Sequence, residues 1–295
     1  MKVHLSRWLQ TFSACAVSAL FLVGIAGAAN SASFTDPTGD AGSGLDITRL
    51  DVSSDDTGTL TFRVTVAGKH DWDLGQAAAL VALDTDQNPD TGSAFYGTEV
   101  EIAFEADAFG RTEAVLLRAD GWDFRRVTPP DAWQWGFGDN FIEFFAKPSD
   151  LGLAPNAGFN VVAAAIGAAH PDTAPDIRTF NYQPVPGTPP PNPGPDTRAP
   201  HVSAFDSSGV HGKLAKLGYW VLDGRGATAE TIRIYRRTRL LKTIRRRLAD
   251  SNAFDLSHVV WRVPRAIRGR LRFSVRSVDA AGNKSKLSWA RLVVH

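Results

Sequence analysis

Cysteine is almost absent from this sequence. Of 295 residues, only Cys15, in an apolar stretch near the N-terminus, is a cysteine, and only Met1 is a methionine. Residues 1–33 have the pattern of a secretory signal peptide, since Lys2 and Arg7 precede the apolar stretch and small residues follow it. Without cysteine the mature chain has no disulfides and no thiolate catalysis, so the domain cores alone would hold the fold. We predict a secreted, extracellular protein; the alternative, a membrane anchor, is disfavoured by the abrupt end of the stretch.

Patterns that mark common catalytic sites are also missing. The seven histidines have no His-x-x-x-His spacing, and neither a Gly-x-Ser-x-Gly elbow nor a phosphate-binding glycine loop occurs. A glycosidase needs two carboxylates flanking a cleft, and no pair of carboxylates stands out from the others. We therefore predict no catalytic residues and a protein that is not an enzyme. A cryptic hydrolase that uses carboxylates is the alternative.

Charge is divided unevenly along the chain. Residues 34–182 carry 9 Lys and Arg against 24 Asp and Glu, a formal net charge of −15. Residues 201–295 carry 20 Lys and Arg against 6 Asp and Glu, a formal net charge of +14. A proline-rich linker, residues 184–200, separates the halves, and such a segment is extended and semi-rigid. An acidic domain favours cations, and a basic domain favours polyanions or the acidic domain itself.

Apolar patterns predict strands in both halves. Residues 59–66 alternate with a period of two, whereas residues 77–83 form a continuous apolar run typical of a strand covered on both faces. Turn residues separate these segments repeatedly. We predict an all-β protein, with an acidic, jelly-roll-like β-sandwich over residues 34–183 and a basic Ig/FN3-like β-sandwich over residues 201–295. Further strands in the first half are predicted at residues 46–53, 98–105, 113–118, 122–127, 141–146, 161–166 and 178–182.

Several motifs give the first half a family resemblance. The motif Asp36-Pro-Thr-Gly-Asp40, the run Leu83 to Gly92 and the turn that ends at Gly152 resemble secreted bacterial modules. These modules are the DOMON and family 9 carbohydrate-binding module group, and the resemblance implies a β-sandwich that binds carbohydrate. Haem-binding DOMON members use a Met/His axial pair, which this chain lacks.

The second half resembles bacterial fibronectin type III and Ig-like modules. The segment Phe273 to Ser285 gives a strand followed by an Asp-x-x-Gly-Asn turn, and Asp196-Thr-Arg-Ala-Pro200 is similar to the usual start of such repeats. Neither resemblance transfers a catalytic residue. Trp220, Trp261 and Trp289 are interpreted as core residues of this domain.

The strongest chemical motif is an acidic loop. Oxygen-bearing side chains occupy alternate positions, and in a tight loop such side chains converge on one centre. Hard oxygen ligands suit calcium, so calcium is the predicted cofactor. The alternative is a solvated hairpin loop whose side chains only cap turns. The predicted metal ligands are Asp84, Asp86, Asn88, Asp90 and Glu99.

The acidic loop is not an EF-hand. Pro89 stands where the invariant glycine is required, and Phe95 stands where the bidentate Glu should be. A second group of acids, Asp36, Asp40 and Asp46, is better explained by turn capping.

An aromatic strip is a candidate for ligand binding. Trp133, Trp135 and Phe137 alternate, so their rings lie on one side of an extended segment, where flat rings can stack on sugars. Trp72 is a second candidate. The alternative is that these rings plug one edge of the sandwich core.

A basic hairpin is a candidate for polyanion binding in the second half. Alternation places Arg233 and Arg237 on one face, and Arg245, Arg246 and Arg247 follow. Acidic envelope polymers would bind such a surface in a salt-dependent way, and a solubilising surface is the alternative. Nucleic acid is not expected as a partner, because no recognition motif occurs.

These features predict a secreted, non-catalytic binding or adhesion protein that is stabilised by calcium and binds carbohydrate at the cell envelope. The alternatives are an accessory module of a hydrolase and a purely structural envelope protein. The predicted partner is a polysaccharide or an acidic envelope polymer. The two halves are also expected to attract each other, because their formal charges of −15 and +14 are opposite.

Overall fold

The computed structural model describes residues 30–41, 44–69, 72, 78–106, 112–121, 123–127, 134–166, 171–185, 190–247 and 257–295. Over these residues the protein consists of twenty strands and a short 3₁₀ turn, Pro148–Leu151, without an α-helix. No helix in these ranges is long and apolar enough to span a membrane. The predicted signal peptide lies outside the described residues, except for residues 30–33, which belong to the first strand.

Twelve strands form the first half. They are β1 (Asn30–Thr35), β2 (Ile47–Ser54), β3 (Leu60–Val66), β4 (Ala78–Asp84), β5 (Val100–Ala106), β6 (Thr112–Asp120), β7 (Asp123–Val127), β8 (Gln134–Phe137), β9 (Phe141–Ala146), β10 (Phe159–Ile166), β11 (Pro171–Ala174) and β12 (Phe180–Tyr182). One sheet has the order β1-β2-β3-β9-β8. The other has the order β11-β10-β4-β5-β6-β7, with β12 also paired to β10.

The core of the first half lies between these two sheets. In β3 every second residue from Leu60 to Val66 is buried, and in β5 Val100, Ile102 and Phe104 are buried. Each fully buried side chain of this size stabilises the fold by about 1.5–3 kcal/mol. A period of two therefore directs one face of each strand into a single apolar layer.

The acidic loop, residues 84–99, lies over the outer face of the second sheet. Leu80 and Ala82 of β4 face away from the main core and form a small second apolar cluster, against which Tyr96 and Phe95 of the loop pack. Strand β4 is therefore covered on both faces, which explains its continuous apolar run. This packing holds the loop against the sheet.

Eight strands form the second half. They are β13 (His201–Ala204), β14 (Ser207–Gly209), β15 (Leu214–Leu222), β16 (Thr228–Arg236), β17 (Arg239–Arg245), β18 (Ser257–Arg262), β19 (Gly269–Asp279) and β20 (Ser288–Val294). The sheets have the orders β13-β15-β18 and β14-β20-β19-β16-β17. All pairs are antiparallel except β14 with β20. The prediction of an all-β protein built from β-sandwiches is confirmed.

Two of the three tryptophans predicted in the second core are on its surface. Trp261 is buried, but Trp220 and Trp289 are exposed. In β15 the neighbours Tyr219 and Val221 point inward, so the period of two directs Trp220 outward. The interpretation of Trp220 and Trp289 as core residues was wrong.

Candidate metal centre

The acidic loop turns sharply at residues with positive φ. Gln87 has a φ of 56° and Gly92 a φ of 59°, a left-handed conformation that glycine adopts without strain. A Cβ at Gly92 would lie 2.6 Å from the Thr98 carbonyl oxygen and 2.7 Å from Glu99 Oε1. Glycine at this position therefore allows the backbone to pass directly beside the Glu99 carboxylate.

Three of the five predicted ligands converge. Asp84, Asp86 and Glu99 each offer a carboxylate oxygen, and these oxygens lie within 4.8 Å of one another. Calcium binds oxygen at about 2.3–2.6 Å, so two oxygens on one ion are at most about 5 Å apart. The three carboxylates are therefore close enough to share one calcium ion.

Asp84 is fully buried at the end of β4 and is fixed by hydrogen bonds. The Asn88 backbone N–H donates to its Oδ1 and the Asn160 side-chain amide to its Oδ2, both at 2.9 Å. Burial raises the pKa of Asp84 to about 8; the Asn160 hydrogen bond opposes this rise and the Glu99 charge adds to it. A cation beside these oxygens would favour the ionised form of Asp84.

Glu99 closes the site from the far end of the loop. Its Oε2 accepts a hydrogen bond from the Thr85 backbone N–H at 2.7 Å, and its Oε1 accepts one from Thr91 Oγ1 at 2.9 Å. Burial raises the pKa of Glu99, and these hydrogen bonds partly oppose the rise. The loop therefore fixes the orientation of a carboxylate that is costly to ionise without a cation.

The other two predicted ligands, Asn88 and Asp90, have partners of their own. Asn88 Oδ1 accepts the Asp90 backbone N–H at 3.2 Å, so this side chain caps a turn. The Asp90 carboxylate faces the second half, where Arg225 Nε and Nη2 donate to its two oxygens at 2.9 Å. The positive φ of Gln87 interrupts the extended backbone, so the strict alternation of side chains ends at this residue. The assignment of Asp90 as a metal ligand is corrected accordingly, whereas that of Asn88 stays a prediction, because an amide oxygen with one hydrogen bond keeps a second lone pair.

Arg198 and Arg225 join the second half to the acidic loop, which the sequence analysis missed. Arg198, at the end of the proline-rich linker, donates to the carbonyl oxygens of Pro89 at 3.2 Å and Gly92 at 2.7 Å, and also to that of Thr91. Burial lowers the pKa of Arg198, which remains cationic. The sequence feature that could have predicted this contact is a pair of arginines in segments outside the strands, together with a loop that carries four carboxylates.

The aromatic strip covers an edge of the first core. The rings of Trp135 and Phe137 stack, with centroids 6.0 Å apart, and Trp135 also contacts Phe104 at 4.9 Å. Phe137 remains 40% exposed, whereas Trp72 is buried against Phe104, so Trp72 offers no ring face to a ligand. Trp133 lies outside the described residues. The structure therefore favours the edge plug for Trp135 and corrects the assignment of Trp72.

The predicted basic face is rearranged by the β16–β17 turn. Arg233 lies exposed on β16, but Arg237 lies in the turn with a φ of 56°, so the two do not share a strand face. Arg245 and Arg247 are exposed. Arg246 is exposed as well, but it donates a hydrogen bond to the Tyr219 hydroxyl at 2.8 Å.

An exposed cation–π contact on the same sheet was also missed. The Arg272 guanidinium lies 4.5 Å from the centroid of the Trp289 ring and 5.9 Å from that of Tyr235. These side chains lie on the neighbouring strands β16, β19 and β20, whose pairing brings together residues that are distant in sequence. Cross-strand pairing of this kind is not visible in the local alternation of any one strand.

Comparison with known proteins gives remote similarities. No protein-family model matches the chain, and no curated protein matches it. Solved structures that resemble it include a chimeric titin Z1Z2-Z1Z2 tandem, at 12% identity and a TM-score of 0.23, covering 80% of this chain and 91% of that one. Fibronectin(III)-like modules of CbhA from Clostridium thermocellum match at 13% identity and a TM-score of 0.24, covering 72% and 93%. A CARDB domain of the PF1109 protein from Pyrococcus furiosus, in complex with di-metal ions, matches at 17% identity and a TM-score of 0.22, covering 33% and 86%. TM-scores this low carry no information about function.

Proposed function

We propose that this chain is a secreted, non-catalytic binding or structural protein whose acidic sandwich binds calcium through Asp84, Asp86 and Glu99. The observation that carries the proposal is the convergence of these three carboxylates within 4.8 Å in one loop. Calcium takes six to eight oxygen ligands, so backbone carbonyl oxygens and water would complete the shell.

Calcium at this site would stabilise the folded acidic sandwich. Asp84 and Glu99 are expensive to ionise together, because both are shielded from water and each is near another negative charge. A cation between them removes this cost only when the loop is folded. Its binding free energy therefore adds to the stability of the fold, by about 2.7 kcal/mol when the ion is at 100 times its Kd.

The position of the loop supports a structural role for the bound ion. One side of the loop carries the three converging carboxylates, and another side is held by Arg198 and Arg225. Calcium would therefore fix the surface on which the second sandwich docks. A two-sandwich protein with such a joint presents its binding surfaces at a defined angle.

The proposal is tested by thermal unfolding of the full chain with calcium and with a chelator. We expect calcium to raise the midpoint in the unsubstituted protein and to raise it less in an Asp84→Asn, Asp86→Asn double variant. Asp56→Asn is the matched control, because Asp56 is an exposed acid in a turn of the same sandwich. An equal calcium shift in the double variant and in the control would refute the site.

Carbohydrate binding and polyanion binding stay predictions. Of the two described rings of the strip, Phe137 is the more exposed one, and Arg272 with Trp289 offers a cationic aromatic patch on the other sandwich. A glycan array with pull-down on insoluble polysaccharides tests both, using Phe137→Ala and Arg272→Ala. No retention of the unsubstituted protein by any glycan would leave the structural role.

A further inference from the structure

A second group of carboxylates lies far from the acidic loop. Strand β10 pairs Asn160 with Asp84 at one end and Ala165 with Asp172 near the other. Five residues at about 3.3 Å each separate the two positions by roughly 17 Å. The group around Asp172 is therefore distinct from the proposed calcium site in the loop.

Asp36 is the unusual member of this second group. It follows β1 directly and is only 8% exposed, and neither carboxylate oxygen has a hydrogen-bond partner among the described residues. A buried carboxylate without a hydrogen bond or a countercharge is strongly destabilising. Native proteins bury such groups with a partner, which is often a metal ion.

Two further carboxylates point to the same place. Asp36, Asp40 and Asp172 each offer an oxygen, and these oxygens lie within 4.8 Å of one another. Asp172 is buried in β11 and is oriented by the backbone N–H groups of Ile47, at 2.6 Å, and Thr173, at 3.0 Å. Each carboxylate oxygen has two lone pairs, so Asp172 can accept these bonds and still ligate a cation.

The loop that carries Asp40 is held in place by a separate acid. Asp46 accepts a hydrogen bond from the Gly39 backbone N–H, at 3.0 and 2.9 Å to its two oxygens, and Gly39 has a φ of 92° that favours glycine. Asp46 therefore caps a turn, as predicted for this group. Asp36 has no such bond, so turn capping does not account for its burial.

We propose that Asp36, Asp40 and Asp172 form a second divalent-cation site, with calcium as the ion their hard oxygen atoms suit. The ion would supply the partner that the Asp36 carboxylate lacks. It would also connect β1 and the loop that follows it with β11. Strands β1 and β11 are distant in sequence and belong to different sheets. The site is independent of the acidic loop, and either could exist without the other.

Isothermal titration of calcium into the metal-stripped full chain tests the proposal by stoichiometry. We expect Asp36→Asn to bind one calcium ion fewer per chain than the unsubstituted protein, and Asp56→Asn to bind the same number. Asp40→Asn should behave like Asp36→Asn; because Asp40 is exposed, this variant keeps the test available if Asp36→Asn does not fold. The same stoichiometry in Asp40→Asn as in the unsubstituted protein would overturn the proposal.

The two calcium sites are separated by combining variants. In the Asp84→Asn, Asp86→Asn background, calcium binding should persist and should be abolished by adding Asp40→Asn. If calcium still binds and Asp40→Asn does not change that binding, the second site is refuted. The loop site is then judged separately, from its own double variant. A background that binds no calcium would also overturn it.

Thermal unfolding distinguishes a cation from a proton on Asp36. In chelator at neutral pH, Asp36→Asn should melt higher than the unsubstituted protein, since asparagine avoids the free-energy cost of protonating or ionising a buried carboxylate. In calcium the order should reverse, because the variant gains no stability from an ion at the Asp36, Asp40 and Asp172 site. A variant that is more stable under both conditions would mean that a proton satisfies Asp36, and the proposal would fail.

Discussion

In the first sandwich Asp36 and Asp84 are buried beside further carboxylates, whereas in the second sandwich Glu230 is buried beside a hydroxyl and a cation. Glu230 accepts a hydrogen bond from Thr228 Oγ1 at 2.8 Å, and its Oε2 lies 3.7 Å from Arg246 Nε. Because both halves are β-sandwiches, the difference comes from the side chains and not from the fold. Glu230 therefore has a cationic neighbour in its own half, whereas at the proposed calcium sites Asp36 and Asp84 would take their countercharge from solution.

Calcium should produce the largest difference between the two halves. Differential scanning calorimetry of the full chain should show one transition that calcium raises, for the acidic sandwich, and one that it leaves in place. At about 100 times its Kd each ion adds about 2.7 kcal/mol, which for a domain of this size corresponds to roughly 5–10 °C. Equal shifts of both transitions would show that calcium does not discriminate between the halves.

In the metal-free protein, the stability of the two halves should also depend differently on pH. Burial raises the pKa of Asp36 and Asp84 from 3.8 to about 8, so between these values the folded state holds protons that the unfolded state has released. Stability of the acidic sandwich should therefore fall as pH rises from about 4 to about 8. Melting curves on calcium-free protein measure this slope, which Asp36→Asn should flatten. A slope of the opposite sign would contradict the expectation.

Loss of the ion pair between Arg225 and Asp90 should have a smaller effect than loss of calcium. Replacing Arg225 by Ala removes two charge-assisted hydrogen bonds, worth about 1.5–3 kcal/mol when formed away from water. We expect the radius of gyration, measured by small-angle scattering, to rise as the sandwiches separate. Arg233→Ala, an exposed arginine on the same half, is the control and should leave the radius unchanged.

Removing the countercharge of Glu230 should have the smallest effect. Arg246→Ala should destabilise the basic sandwich by about 1 kcal/mol, because Glu230 keeps its bond to Thr228 and Arg246 is partly exposed. Arg245→Ala is the neighbouring control. Calcium affinity should be unchanged in both variants, because neither arginine contacts the proposed calcium ligands; a change would contradict this expectation.

Local patterns predicted strands with one buried face from alternation, and β4, which is covered on both faces, from its continuous apolar run. Strand β9 has the predicted bounds, residues 141–146. Strand β11 was not predicted, since it is short and opens with Pro171. Strand β1 begins at Asn30, four residues before the expected start of the domain at residue 34. The strand was not predicted because its apolar character is weak.

The candidate site in the acidic loop could be predicted because its residues belong to one short segment of the chain, Asp84 to Glu99. Asp84 and Asp86 were identified from their spacing, but the turn at Gln87 that diverts Asp90 was not. Asp172 meets Asp36 through the pairing of strands from distant parts of the chain, which no local pattern encodes. The sequence thus identified the three carboxylates of the loop site, whereas it did not identify Asp172, which sheet topology brings to Asp36 and Asp40.

The contacts of Arg225 change how the chain would respond to a pulling force. Besides Asp90, this side chain donates to the carbonyl oxygens of Gly194 at 3.0 Å and Pro193 at 3.3 Å, so the linker is fastened to the joint. Arg225 and Asp90 are only 19% and 13% exposed, which limits screening by salt. Tension between the sandwiches would therefore load this joint first. Its rupture would leave Arg198 as the other contact to the acidic loop, a first step that single-molecule stretching should detect and Arg225→Ala should remove.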